Sequence, residues 1–399
     1  MKILVINSGS SSIKYTVINL ADQSRLLTGL IERIGESESL HRYSLSDGST
    51  QKIIQPIANH QQALQRLFAT LSSTEVVGND GLFCIGHRVV HGGEKFKQPT
   101  LITNTVLAEI ANISPLAPLH NPANLLGIEE ARRQMPDTPQ VAVFDTAFHH
   151  TLPDYAYHYA LPANLYQQHG VRRYGFHGTS HAYVAKQAAL LLGKPLQATN
   201  LITLHLGNGA SVSAIANGVS VDTSMGMTPL EGLMMGTRSG DIDAGIIFYL
   251  SRCLNLSSKA IENLLNKDSG CKGICGENDM RAIHQRADSG DQSAQLALAM
   301  YAYRIKKYIG AYFAVLGQVD ALVFTGGIGE NDAWLRQQCC ENMTVFGIEL
   351  DSENNQSPTR PSGLISHVQS KVAVLVIATD EELEIALQAN QCLTTMNPA

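Results

Sequence analysis

No apolar run in the sequence approaches the about 20 residues that a membrane span requires, and the longest, Val372 to Ala378, suits a buried strand. Nor does the N-terminus read as a secretory leader. Lys2 is followed by only four apolar residues, Ile3 to Ile6, before a polar turn, too few for the apolar core of a signal peptide. A cytosolic chain with no membrane partner is the resulting expectation. Basic charge is in deficit, with 29 Lys and Arg against 35 Asp and Glu for a net charge of −6. That argues against a general nucleic-acid surface, which needs a basic face, and leaves room for a local basic pocket. Cysteines are scattered, at 84, 253, 271, 275, 339, 340 and 392. Cys271 and Cys275 form one isolated pair with no second pair or His cluster at zinc spacing. Adjacent Cys339 and Cys340 are expected on opposite sides of a helix, and reduced structural thiols are the reading for the whole set. The sequence also lacks G-x-x-x-x-G-K-[ST], and Gly207-Asn208-Gly209 is not completed to G-x-G-x-x-G. The P-loop and the dinucleotide fingerprint are both excluded.

What is present is an ordinary globular composition, 44% hydrophobic and 16% charged over 399 residues, too long for one core and therefore expected to form two domains. Lys2–Leu20 reads strand, polar turn, strand, with the turn Asn7-Ser8-Gly9-Ser10-Ser11-Ser12. The pattern returns at Leu201–Leu206, Gly207-Asn208-Gly209-Ala210-Ser211 and Val212–Ile215. Superposing Ser8–Ser11 on Asn208–Ser211 keeps the apolar flanks in register, which suggests a duplicated domain with a cleft between the copies. Cys84–Val90 and Val141–Asp145 are short apolar runs that end in polar residues, as buried strands delivering functional groups at their C-terminal ends would. Ala294–Leu316 has helical apolar spacing and is expected under the second sheet. Gly232–Gly245 has no clear period and reads as loop. No linker rich in Pro, Ser or charge separates the halves, so the boundary near Phe148–Thr151 follows from the repeat alone.

Three glycine-rich turns follow strands: Asn7–Ser12, Gly207–Gly209, and Gly326-Gly327-Ile328-Gly329-Glu330-Asn331. Glycine lets backbone N–H groups approach anionic oxygens, and Ser hydroxyls and Lys14 add donors. Any one of them could be no more than a tight turn, but three in one chain favour a nucleotide. Longer motifs sharpen this. Asn7-x-Gly9-Ser10-Ser11-Ser12-x-Lys14, Gly86–Gly93, Phe144–His149, Tyr174–His181, Met225–Gly232, Gly236–Asp241 and Phe324–Asn331 resemble the acetate kinase family, in the family's order, from Met1 to Thr379-Asp380-Glu381-Glu382.

The resemblance implies an α/β fold of two duplicated ribonuclease-H-like domains around an ATP cleft, as in sugar kinases, Hsp70 and actin. It gives residues 1–148 as the N-terminal domain, with the tail 382–399 packing back on it, and 149–381 as the nucleotide-binding domain. It implies ATP-dependent phosphorylation of acetate to acetyl phosphate, with ADP as the other product, by a homodimer. Asn7 and Glu381 match the family's Mg²⁺-associated residues, with Mn²⁺ able to substitute; both offer oxygen, as a hard cation requires. Lys14, His205, Leu206, Gly207, Asn208, Gly209, Asp279, Met280, Arg281, Gly327, Ile328, Gly329, Glu330 and Asn331 match its nucleotide contacts. Asp145, His177 and Arg238 match its catalytic set, and Arg88 its grip on the substrate carboxylate. A phosphoryl group in flight spreads charge over three oxygens, which guanidinium and imidazole donors can meet. Acetate is already ionised, so Asp145 is expected to orient Arg88 or a metal-bound water rather than act as base. Val90, Leu119, Phe176 and Pro229 would form an apolar pocket for the methyl group. Asp380 stands where Asn is more usual and is expected to unsettle local hydrogen bonding slightly.

Two other readings remain. A propionate or other short-chain acyl kinase would share every catalytic residue. An actin- or Hsp70-like ATPase module is disfavoured by Arg88, His177 and Arg238, which supply charge for an anionic acceptor.

Overall fold

The computed structural model of the chain describes residues 1–78, 81–356 and 362–396. Contacts divide it into two compact units, Met1–Phe148 with Asp380–Ala399, and His149–Thr379.

The first unit is built on eight strands: β1 (Lys2–Ser8), β2 (Ser12–Asn19), β3 (Ser24–Glu32), β4 (Ser39–Leu45), β5 (Thr50–Gln55), β6 (Cys84–Val89), β7 (Thr100–Leu101) and β8 (Gln140–Phe144). Their order across the sheet is β5-β4-β3-β2-β1-β6-β8-β7. β1 runs antiparallel to β2 and parallel to β6, and β6 runs parallel to β8. Ile3 to Ile6 of β1 are buried, so this central strand reads as a continuous apolar run rather than an alternating one. Leu4, Ile6, Ile13 and Val17 pack with Leu64 and Leu67 of helix His60–Ser73. Each such side chain is worth about 1.5–3 kcal/mol relative to exposure. Asn59 caps that helix by accepting the Gln62 N–H.

The final helix, Glu381–Met396, packs on β6 and β8. A Cβ on Gly86 of β6 would lie 2.9 Å from Cγ2 of Ile385, so the helix rests directly on the strand backbone. This unit takes up the chain at Asp380, two residues ahead of the expected 382, and Glu381 therefore belongs with it. The first turn of a helix goes with the surface its later turns cover. The last three residues of the expected tail lie outside the described residues.

The second unit carries β9 (Leu201–Leu206), β10 (Ala210–Ala216), β11 (Val219–Thr223), β12 (Ala321–Thr325), β13 (Ser362–Leu364) and β14 (Ala373–Ile377), in the order β11-β10-β9-β12-β14-β13. β9 is antiparallel to β10 and parallel to β12, which is parallel to β14. Each unit thus contains the same five-strand arrangement, a meander of three followed by two parallel strands. The duplication lies in topology more than in residue alignment. Superposing Ser8–Ser11 on Asn208–Ser211 would set Asn208 opposite Ser213, by analogy with Ser8 and Ile13. Ser213 instead faces Thr203. The turns differ in length: the Gly9 N–H reaches the Ser12 carbonyl, whereas the Gly207 N–H reaches the Gly209 carbonyl.

Helix Gln292–Leu316 presents Ala294, Ala297, Leu298, Tyr301, Ile305 and Ile309 as its buried stripe and packs against β10. Asp291 caps it through the N–H groups of Ser293 and Ala294. Cys339 and Cys340 at the end of helix Ala333–Cys340 are both buried, contrary to the expected alternation. Adjacent helical side chains diverge by only about 100°, so one packed flank holds both. Among the described residues no helix is long and apolar enough to cross a membrane.

Candidate functional site

Two groups of polar side chains stand out, one in each unit. In the first unit, β6 and β8 are parallel neighbours, with Arg88 opposite Val143 and Val89 opposite Phe144. Arg88 and Asp145 thus leave the sheet side by side at its C-terminal edge. The Asp145 carboxylate accepts the Arg88 Nε–H at 3.0 and 3.1 Å and the Nη2–H at 2.6 Å. Burial pushes the Asp145 carboxyl above its ordinary range, with Arg88 pulling the other way. For Arg88, burial works against the charge, but the Asp145 and Glu381 carboxylates outweigh it and raise the pKa. Arg88 therefore stays a cation, aimed by a carboxylate.

Glu381 is the first residue of the final helix, with Oε2 3.9 Å from Arg88 Nε. Asn7 lies near the end of β1, and Lys14, its register partner on β2, is exposed with Nζ 3.9 Å from Glu382. Asn7 and Glu381 are oxygen donors with solvent access, a donor set that suits a hydrated hard cation. Asp380 settles its own surroundings: Oδ1 caps the helix through the Leu383 N–H, and Oδ2 accepts from Arg25 at 2.6 Å. The expected disturbance does not arise. Val90 follows β6 and is buried, its N–H bound to Asn124 Oδ1. Leu119 is 52% exposed.

In the second unit, a cavity of about 1260 Å³ is lined by Gly207, Asn208, Asp279, Met280, Arg281, Gly327, Ile328 and Asn331. The fold thus gathers three separate sequence segments around one cavity. Asp279 caps helix Met280–Asp288 by accepting the Arg281 N–H, and its carboxylate also takes the Arg281 guanidinium at 2.6 Å. His205, Leu206, Gly209, Gly329 and Glu330 do not line the cavity. Leu206 is core, and the Glu330 carboxylate turns back to accept the N–H groups of Gly326 and Thr379. The cavity also takes in residues that the motifs did not point to. His284 donates to Asp332 at 2.7 Å, which raises its pKa, and stands edge-on to Trp334 with ring centres 5.2 Å apart.

The hairpin tip Gly207–Gly209 has a second side. A Cβ on Gly209 would sit 3.5 Å from His177 Nε2 and 3.6 Å from Arg238 Nη1. The missing side chain leaves space on which an imidazole and a guanidinium converge. His177 adopts φ 55° just ahead of helix Gly178–Leu191, a backbone region uncommon for residues other than glycine. Its ring stacks on His205 at 4.3 Å. Arg238 Nη1 donates to the Pro229 carbonyl at 3.1 Å, and burial lowers its pKa. The loop that bears it is tied to the tip, because the Gly236 N–H donates to the Asn208 carbonyl. Arg173 binds the Glu231 carboxylate at 2.6 Å and the carbonyls of Thr223 to Met225, which anchors the stretch leading to Pro229. Phe176, the residue before His177, is buried, and its carbonyl accepts from His149 Nε2.

A family model described as the acetokinase family matches residues 2–387. The chain belongs to the acetokinase family. Among acetokinase relatives, an acetate kinase of Sulfurovum sp. (strain NBC37-1) is 53% identical with all of both chains covered. One from Streptomyces avermitilis is 52% identical over 97% of this chain and 96% of that one. Of solved structures, the acetate kinase of Porphyromonas gingivalis superposes with a TM-score of 0.93 at 44% identity, covering 98% of this chain and 99% of that one. A propionate kinase from Francisella tularensis gives 0.91 at 43%, covering 97% and 98%. The acetokinase motifs therefore extend across both units.

Proposed function

We propose that the chain transfers the γ-phosphoryl group of ATP reversibly to acetate, giving acetyl phosphate and ADP. The observation that carries this is the convergence of His177 Nε2 and Arg238 Nη1 beside Gly209, on the same hairpin tip that walls the cavity. Nucleotide held there would present its terminal phosphate to fixed donors. In the loose transition state of phosphoryl transfer, charge spreads over three oxygens, and preorganised donors outside bulk water stabilise it best. Arg88, aimed by Asp145, would hold the acetate carboxylate in a bidentate grip. Asp145 has no proton to remove from an ionised acid, so its work is orientation. Asn7 and Glu381 would hold Mg²⁺, which when bound supplies positive charge to the phosphate oxygens. The same substrates argue for a cytosolic enzyme, which cell fractionation would check.

The kinship with a propionate kinase keeps a second substrate in view. Val90, with its branched Cβ, fills space that Ala would leave open, and one methylene is worth about 1–3 kcal/mol in such a pocket. The test is ADP release with hydroxylamine trapping of the acyl phosphate over formate, acetate, propionate and butyrate. Acetate should lead in kcat/KM with propionate still used, and Val90→Ala should narrow the gap mainly by improving propionate. Equal handling of the two acids by the unsubstituted protein would overturn the pocket and favour a propionate kinase. In the same assay Glu381→Ala should raise the Mg²⁺ concentration for half-maximal rate; an unmoved titration would leave Glu381 a helix-terminal carboxylate.

We also infer a homodimer. Helix Gly245–Leu254 buries none of its residues and leaves Ile246, Ile247, Phe248, Tyr249 and Leu254 exposed, a cluster larger than scattered surface apolar residues explain. Sedimentation as a monomer would remove this inference.

A further inference from the structure

Behind His177 lies a chain of buried groups. His177 Nδ1 is 2.9 Å from Ser211 Oγ, Ser211 Oγ is 2.8 Å from His181 Nε2, and His181 Nδ1 is 2.7 Å from Thr203 Oγ1. Ser211, His181 and Thr203 are fully buried. We propose that Thr203, His181 and Ser211 form a one-way hydrogen-bond relay that fixes His177 as the neutral tautomer carrying its proton on Nε2.

The direction follows from counting protons. Each hydroxyl has one to donate, and a neutral imidazole donates from one nitrogen and accepts at the other. Burial, with His149 and His205 nearby, pushes the His181 pKa well below its ordinary value, so this ring is neutral. Among the described residues the Thr203 hydroxyl has no hydrogen-bond partner besides His181. Were His181 to donate from Nδ1, the Thr203 hydrogen would be buried without an acceptor, which proteins rarely tolerate. Thr203 therefore donates to Nδ1, His181 donates from Nε2 to Ser211, and Ser211 donates to His177 Nδ1. His177 is left with its proton on Nε2, the nitrogen beside Gly209.

The relay gives Ser211, His181 and Thr203 a positioning role. His177 would meet a phosphoryl oxygen as a ready donor without first having to gain a proton or flip its ring. This consequence for rate rests on the reading of His177 as a phosphoryl donor; the tautomer itself does not.

The test is ¹⁵N NMR of the histidine rings in the full-length protein, with the His177 signals assigned by their loss in His177→Gln. Expected is a pyrrole-type Nε2 and a pyridine-type Nδ1 at His177. Ser211→Ala should mix the tautomers and lower kcat about tenfold, the worth of one intramolecular hydrogen bond, with little change in the KM for ATP. Thr203→Val keeps the side-chain shape and removes only the first donor, so it carries the test if Ser211→Ala does not fold. A proton on Nδ1 in the unsubstituted protein, or a His177 spectrum unmoved in both variants, would overturn the relay. A shifted spectrum with unchanged kcat keeps the relay and removes His177 from the chemistry.

Discussion

Replacing Arg238 by alanine should lower kcat by about 3–4 kcal/mol in barrier, roughly a few hundredfold or more, while the KM for ATP moves little. Arg238 Nη1 stands beside the gap at Gly209 rather than on the cavity wall, so its charge should matter most when negative charge builds on the moving phosphoryl group. The guanidinium also holds the Pro229 carbonyl, and its loss could loosen that loop. Arg238→Lys separates the two effects. It keeps a cation but loses the planar fork, and should fall between the other two in kcat. Steady-state kinetics, with thermal melting to confirm folding, give the answer. A near-normal kcat in Arg238→Ala would remove it from the catalytic set.

Asp145→Ala should be the most damaging change in the first unit. It strips a buried carboxylate from a guanidinium that makes three close contacts with it, leaving a largely buried charge without its main partner. Breaking such a pair costs about 3–5 kcal/mol. Arg88 keeps some solvent access and lies 3.9 Å from Glu381, so the lower end of that range is expected. Acetate binding should weaken with it, because a freed fork no longer points one way. The double variant Arg88→Ala/Asp145→Ala should melt higher than Asp145→Ala alone, since the stranded charge has gone. If Asp145 were a general base, kcat would fall with no change in the KM for acetate.

Strand and turn positions were largely legible because glycine and apolar runs act locally. Cys84–Val90 and Val141–Asp145 could be read as buried strands ending in chemistry, and Arg88 and Asp145 do emerge side by side. The repeated hairpin was legible as topology but not as register, because one residue more or less in a turn shifts every later pair without changing the pattern of apolar residues. Long-range pairing was the harder part. Nothing local to Asp332 says that it will accept a hydrogen bond from His284, 48 residues away in the chain, although an Asp three residues before Leu335 is a recognisable helix cap. The relay had a partial signal, since His177 and His181 are four apart, the first as N-cap and the second in the first turn of the same helix. Ser211 and Thr203 come from β10 and β9, and only folding brings them to those rings.

The seating of Glu381–Met396 on β6 bears on how the chain is made. The strand that carries Arg88 cannot cover its backbone at Gly86 until Ile385 has been synthesised, some 300 residues later. The unit His149–Thr379 is continuous in sequence and has no such wait. On a ribosome emitting the chain from its N-terminus, the half that begins first is the half that finishes last, and the sheet face that the final helix covers stays open in the interval.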